Sequence, residues 1–232
     1  MKRYRGKHRV SKADLKEDKF QRATEKVAEA YYRDKQRFWV IGGIVLVVVV
    51  GAVLLIQNRG GGPSSEAQLR FTEALGILTQ GDPEQAVQAF QNVASAFGKD
   101  PAGIKARYYL GHIYYNSQRF EEAGREFSAF LKRDGKNPIL APAAQLGLGD
   151  VADATGNPLK AADEYKKVRQ KYPESPLVFE AMMAAGRAYA NAGEYDKAEV
   201  LYQELLEEEP GGEKAEKLKV QLSYVRTLRS KL

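Results

Sequence analysis

The chain has 232 residues, 44% hydrophobic and 28% charged, with 36 Lys and Arg against 30 Asp and Glu, two His and no Cys. That length holds one modest domain with an appendage; the near-average composition excludes a collagen or a wholly disordered chain, and a negative mean hydropathy excludes a multi-span membrane protein. Without Cys there is no disulfide, thiolate catalysis, Cys-based zinc site, iron–sulfur cluster or lipidated N-terminal Cys, and His8 and His112 alone cannot build a multi-histidine metal site.

Residues 1–37 hold 13 Lys and Arg against six Asp and Glu, net +7, whereas the remaining 195 residues carry 23 against 24, net −1. The basic balance therefore belongs to an N-terminal arm, and the rest of the chain has no basic footprint for nucleic acid. Residues 14–36 read as a charged helix with Phe20, Val27 and Tyr31 on one side, either lying on anionic lipid or docking a partner, or else serving only to set orientation.

Residues 38–56, FWVIGGIVLVVVVGAVLLI, contain no charge over 19 positions, and 14 of them are Val, Ile, Leu or Phe. As a helix the run is roughly 28 Å long at ~1.5 Å per residue, close to the ~30 Å hydrocarbon core, so a transmembrane helix is expected. A buried strand would have no use for such length. Between the run and Lys99 only Arg59 and Arg70 are basic, so the positive-inside bias places the N-terminus in the cytoplasm. Tyr31, Tyr32, Phe38 and Trp39 cluster at the expected membrane interface, where amphipathic rings settle among headgroups. A cleavable signal peptide would need a 37-residue n-region and an A-x-A site that does not follow the run, so the span is expected to be retained. Residues 57–65, with Gly60, Gly61, Gly62, Pro63, Ser64 and Ser65, read as a flexible linker.

From residue 66 a small residue is followed twelve positions on by Ala and four later by an aromatic: Ala74, Ala86, Phe90; Gly111, Ala123, Phe127; Gly149, Ala161, Tyr165; Gly186, Ala198, Tyr202. The copies are 37, 38 and 37 residues apart. The fixed spacing predicts four helix pairs in which small residues let two backbones approach and the aromatic fills the space beyond. Gly81, Gly156 and Gly193 supply the left-handed turn between the helices of a pair, while the second copy departs with Ser117, Gln118 and Arg119. Residues 213–232 form a further helix with Ala215, Leu218, Leu222, Val225 and Leu228 on one side, the cap an open repeat end needs, or a partner-binding helix.

This pattern resembles the tetratricopeptide repeat over residues 66–212. The fourth copy matches best, through Gly186, Tyr189, Ala198, Tyr202 and Pro210; the third has Gly149, Ala161, Tyr165 and Pro173. Ala74 replaces Gly in the first copy, Gly98 and Gly135 stand where a terminal Pro is expected in the first two, and no copy carries the family's Trp. The longer loops, with Tyr172-Pro173-Glu174-Ser175-Pro176, look like repeats of bacterial envelope proteins such as outer-membrane assembly lipoproteins and the Tol–Pal division coordinator. The layout of uncleaved anchor and outer repeats is similar to that of the ancillary Sec translocon subunit. The expected fold is all-α: one transmembrane helix, then an α-solenoid of about four tetratricopeptide-like pairs and a capping helix.

The resemblance implies that the first helix of each pair lines a groove, which points to Phe71, Lys105, Tyr108, His112, Tyr115, Leu146, Asp150, Asp153, Met183 and Arg187 as a partner-binding set. Phe71, Tyr108, Leu146 and Met183 form one apolar column, suited to an extended hydrophobic peptide or a partner helix, or else simply packed between helices. The Lys and Asn clamp of the family's chaperone-binding members is absent. No phosphate loop, nucleophile elbow or metal cluster occurs, so no enzyme activity, cofactor, small-molecule substrate or nucleic acid is expected. The expected function is a membrane-tethered adaptor in the bacterial inner membrane, single-pass with its repeats periplasmic or extracytoplasmic, whose partners are the lipid bilayer and envelope or membrane-complex proteins. The alternative is a structural accessory subunit bound through its span, arm and repeats.

Overall fold

The computed structural model describes residues 64–231. The basic arm, the apolar run with Tyr31, Tyr32, Phe38 and Trp39, and residues 57–63 of the linker lie outside the described residues. Among the described residues there are nine α-helices and no strand: α1 (Ser65–Thr79), α2 (Pro83–Ala96), α3 (Pro101–Asn116), α4 (Phe120–Asp134), α5 (Leu140–Ala154), α6 (Pro158–Lys171), α7 (Val178–Asn191), α8 (Tyr195–Glu208) and α9 (Gly212–Arg229). No helix among them is long and apolar enough to cross a membrane.

The first helix begins inside the expected linker. Ser64 adopts an extended conformation and its Oγ accepts from Ala67 N at 2.9 Å, so α1 starts at Ser65 because a hydroxyl satisfies one of its orphan amides. Asp100 ties this start to the next pair, since Oδ2 accepts from Ser64 N at 2.7 Å while Oδ1 accepts from Ala102 N at 2.9 Å to cap α3. The cap helix likewise starts one residue earlier than its apolar spacing suggested, at Gly212, whose φ of 75° turns the chain out of α8.

Each pair closes on its small residues. Ala86, Ala123, Ala161 and Ala198 are all fully buried, and so are Phe90 and Tyr202. A Cβ placed on Gly149 would come within 2.4 Å of the Tyr165 ring, and one on Gly111 within 2.6 Å of Phe127. Phe127 is gripped from its other side by Gly147, where a Cβ would reach 2.7 Å. The aromatic thus occupies volume that any side chain on the facing helix would claim.

The turns within pairs share one geometry. Gly81, Gly156 and Gly193 have φ of 85°, 74° and 77°, and Gln118 takes the same place at φ 59°. Arg119 N donates to Tyr114 O, Asn157 N to Ala152 O and Glu194 N to Tyr189 O at 2.8 to 2.9 Å, the six-to-one bond that closes a helix after a left-handed residue. The second copy therefore keeps the turn without the glycine.

Consecutive helices pack against one another all along the array, and the first helices α1, α3 and α5 also touch each other directly. That leaves them on the inner side of the repeats, with α2, α4, α6 and α8 outside. The buried core falls into two clusters, one reaching Ala144 on α5 and the other starting at Ala152 on the same helix.

Candidate functional site

Two groups of side chains meet on the inner helices. In the first, the Tyr108 ring on α3 stands edge-on to His112 at 4.6 Å and lies 5.7 Å from Phe130, and His112 in turn meets Phe127 at 5.0 Å. Phe127 is there because Gly111 leaves it room, so the histidine's surroundings follow from the repeat motif. His112 Nε2 is buried without a hydrogen-bond partner, and burial holds the imidazole below its ordinary pKa, hence neutral. Burial, then the neighbouring Tyr109, raises the Tyr108 phenol.

The second group joins three repeats. Asp150 on α5 accepts from the Tyr165 hydroxyl at 2.7 Å. Burial nevertheless raises its pKa, with Glu180 and Asp153 adding to the rise and Arg187 on α7 opposing it. Tyr115 at the end of α3 is raised by burial and by the fields of Asp150 and Asp153. Tyr115, Asp150, Asp153 and Arg187, four residues that the family resemblance assigns to the groove, are thus near enough for Asp150 and Asp153 to act on Tyr115 and for Arg187 to act on Asp150. Tyr165 belongs with them and was not expected there. Its fifteen-residue separation from Asp150 repeats that of Phe127 from His112, a signal present in the sequence.

The apolar column divides. Tyr108 and Leu146 are half-buried, but Phe71 is only 5% exposed and Met183 8%. Phe71 turns into the core, edge-on to Phe90 at 5.7 Å and to Tyr109 at 5.5 Å, so it is a packing residue and not a groove residue. Met183 is also enclosed, and its carbonyl accepts from the Tyr202 hydroxyl at 3.4 Å. Lys105 is half-buried on α3, whereas Asp153 and Arg187 are exposed. Among the described residues no cluster of three His, Asp or Glu side chains is placed to hold a metal ion.

A family model described as Tetratricopeptide repeat matches residues 71–138, 111–176 and 146–213, together more than half of the chain. The chain belongs to the tetratricopeptide repeat family. Solved tetratricopeptide structures share the fold: a tetratricopeptide repeat protein from Parabacteroides merdae ATCC 43184 aligns with TM-score 0.54 at 15% identity, over 89% of this chain and 77% of that one. MamA (41-end) from Desulfovibrio magneticus RS-1 aligns with TM-score 0.54 at 17% identity, over 73% of this chain and 98% of that one. The Protein CTR9 homolog of Arabidopsis thaliana is 29% identical over 98 residues, which span 42% of this chain and only 9% of that protein. Tetratricopeptide repeats are protein-interaction scaffolds, and the repeat array here is one.

Proposed function

We propose that this protein is a membrane-tethered scaffold that presents the inner face of its repeats to partner proteins outside the cytoplasm. The observation that carries this reading is the inner face itself. Tyr108, His112, Tyr115 and Leu146 leave part of their apolar surface uncovered beside Asp150 and Asp153. Partly exposed aromatic residues next to a few fixed polar groups are what peptide-binding surfaces use as anchors. The tether is read from the uncharged run at 38–56 and the +7 arm before it, which favour a single pass in a bacterial inner membrane with the N-terminus cytoplasmic. The partners are then envelope or membrane-complex proteins offering an extended apolar segment or a helix, and no catalytic step is involved.

Replacing both Tyr108 and Leu146 by Ser in the full chain tests this. Native partners are identified by crosslinking in mild detergent and mass spectrometry, and their affinity for each variant is measured. Binding should weaken well over tenfold, at roughly 2 kcal/mol or more per central anchor, in a double variant that stays folded although its urea midpoint falls, since Tyr108 and Leu146 also pack on the core. Unchanged binding by a folded double variant would reject the inner face and leave a structural subunit held by its span and arm.

A further inference from the structure

The outer side of the array carries a defect in its own repeat pattern. Where one pair meets the next, a tyrosine of the inner helix fills the groove between successive outer helices. At the first junction this is Tyr114, which is 3% exposed and whose hydroxyl takes a hydrogen bond from Gln91 Nε2 at 2.6 Å. At the third it is Tyr189, whose hydroxyl receives Lys166 Nζ at 3.2 Å while Lys197 Nζ lies over its ring at 6.0 Å. The equivalent residue at the second junction is Ala152. The facing position on the outer helix, Val87 in the first pair and Ala162 in the third, is Gly124 in the second. An alanine in place of tyrosine and a glycine in place of Val87 or Ala162 thus coincide at one junction, where an open cleft of about 690 Å³ lies between α4, α5 and α6. Ala152 also marks the point at which the buried core divides into its two clusters.

Residues equivalent to those that seat the ring elsewhere line this cleft: Ser128 has the repeat position of Gln91 and Lys166, which hold the tyrosine hydroxyl, and Lys160 that of Lys197, which covers the ring; Leu148 and Val151 add apolar surface beside the charged Arg125 and Glu164. We infer that this cleft is a docking site for a tyrosine side chain of a partner protein, seated as Tyr114 and Tyr189 are seated by this chain at the neighbouring junctions. An aromatic ring recovers contacts that an open apolar slot lacks, a lysine over its face adds attraction, and a serine can exchange a hydrogen bond with its hydroxyl. The site is separate from the inner face and lies on the opposite side of α5.

The test uses the full chain in detergent, labelled at its Val and Leu methyl groups, and the tripeptide Ac-Gly-Tyr-Gly-NH2 as probe. Saturable shifts are expected at Val151 and Leu148 with half-saturation at roughly millimolar concentration, as befits one side chain, and at least about threefold weaker binding of Ac-Gly-Leu-Gly-NH2. Ala152→Tyr, at a residue only 3% exposed, should lose the response where it folds, because its own ring then fills the slot. Gly124→Val, whose Cβ would sit 3.4 Å from Val151 in ordinary contact, should lose it too and serves if the tyrosine variant does not fold. The double Ser variant at Tyr108 and Leu146 should keep the response, which separates this site from the inner-face reading. No saturable shift up to about 20 mM, equal response to the leucine peptide, or an undiminished response in a folded filled variant would overturn the inference. So would a shift that depends on protein concentration and vanishes in Tyr224→Ser, since the exposed Tyr224 of a second copy would then be the occupant.

Discussion

At the scale of single residues, Gln118 shows how a fold can impose a conformation its sequence does not favour. Three of four pairs place glycine in the left-handed turn, and Gln118 adopts the same φ because the helices on either side are fixed by their own packing. A side chain in that region costs about 1 to 2 kcal/mol, partly offset by the greater entropy glycine loses on folding. Gln118→Gly should therefore stabilise the protein by about 0.5 to 1 kcal/mol, read as a higher urea midpoint at unchanged slope. Asp150 presents the opposite case, a carboxylate whose folded pKa lies above its ordinary 3.8 because burial outweighs its bond from Tyr165. Its favourable contribution is complete below that ordinary value and is lost as pH rises through the raised one. Asp150→Asn, which keeps an oxygen for the Tyr165 hydroxyl, should match the native protein near pH 3 to 4 and exceed its stability at neutral pH. A native protein as stable as the variant at neutral pH would refute this account.

At the scale of elements, the cap helix is held by more than its apolar stripe. Ala215, Leu218, Leu222 and Val225 are buried against α8, as their spacing predicts. Glu199 on α8 is only 7% exposed and occupies the position held by Val87, Gly124 and Ala162 in the other pairs. It accepts from Arg226 Nε at 2.8 Å and pairs with Arg229 Nη1 at 2.5 Å, so charge adds to apolar contact in holding α9. Both arginines are about half exposed, so the loss on removing them is well short of that for a fully buried pair. Replacing both by Ala should cost about 1 to 3 kcal/mol, since Glu199 is left without a cation. Glu199→Leu in the same background should recover part of that loss, and hydrogen exchange should show α9 opening first in the double Ala variant.

At the scale of the molecule, each pair rests on its neighbours. Stability in such an array is a sum of local terms. The proposed topology belongs to this scale too. Protease added to spheroplasts should digest residues 66–232 and spare the basic arm, because the +7 arm holds the N-terminus inside. Protection of the repeats would reverse the orientation.

The sequence by itself determined the four helix pairs, their period, the three glycine turns and the face by which the cap docks. These follow from local rules: Ala123 needs a small residue twelve positions earlier, which also leaves room for Phe127, and Leu218 and Leu222 fall on one side of any helix. The family resemblance that this pattern carries also named Tyr115, Asp150, Asp153 and Arg187, which the repeat stacks near one another. Tertiary structure alone decided which members of a repeated column face outward. Phe71 and Tyr108 share a repeat position, yet Phe71 is drawn onto Phe90 and Tyr109, while Tyr108 is left half open beside His112. Only the packing, likewise, turned Gly124 and Ala152, unremarkable as letters on two different helices, into the two walls of one cleft. Periodicity reports which residues are equivalent, whereas exposure depends on what the neighbouring repeat brings to the same space.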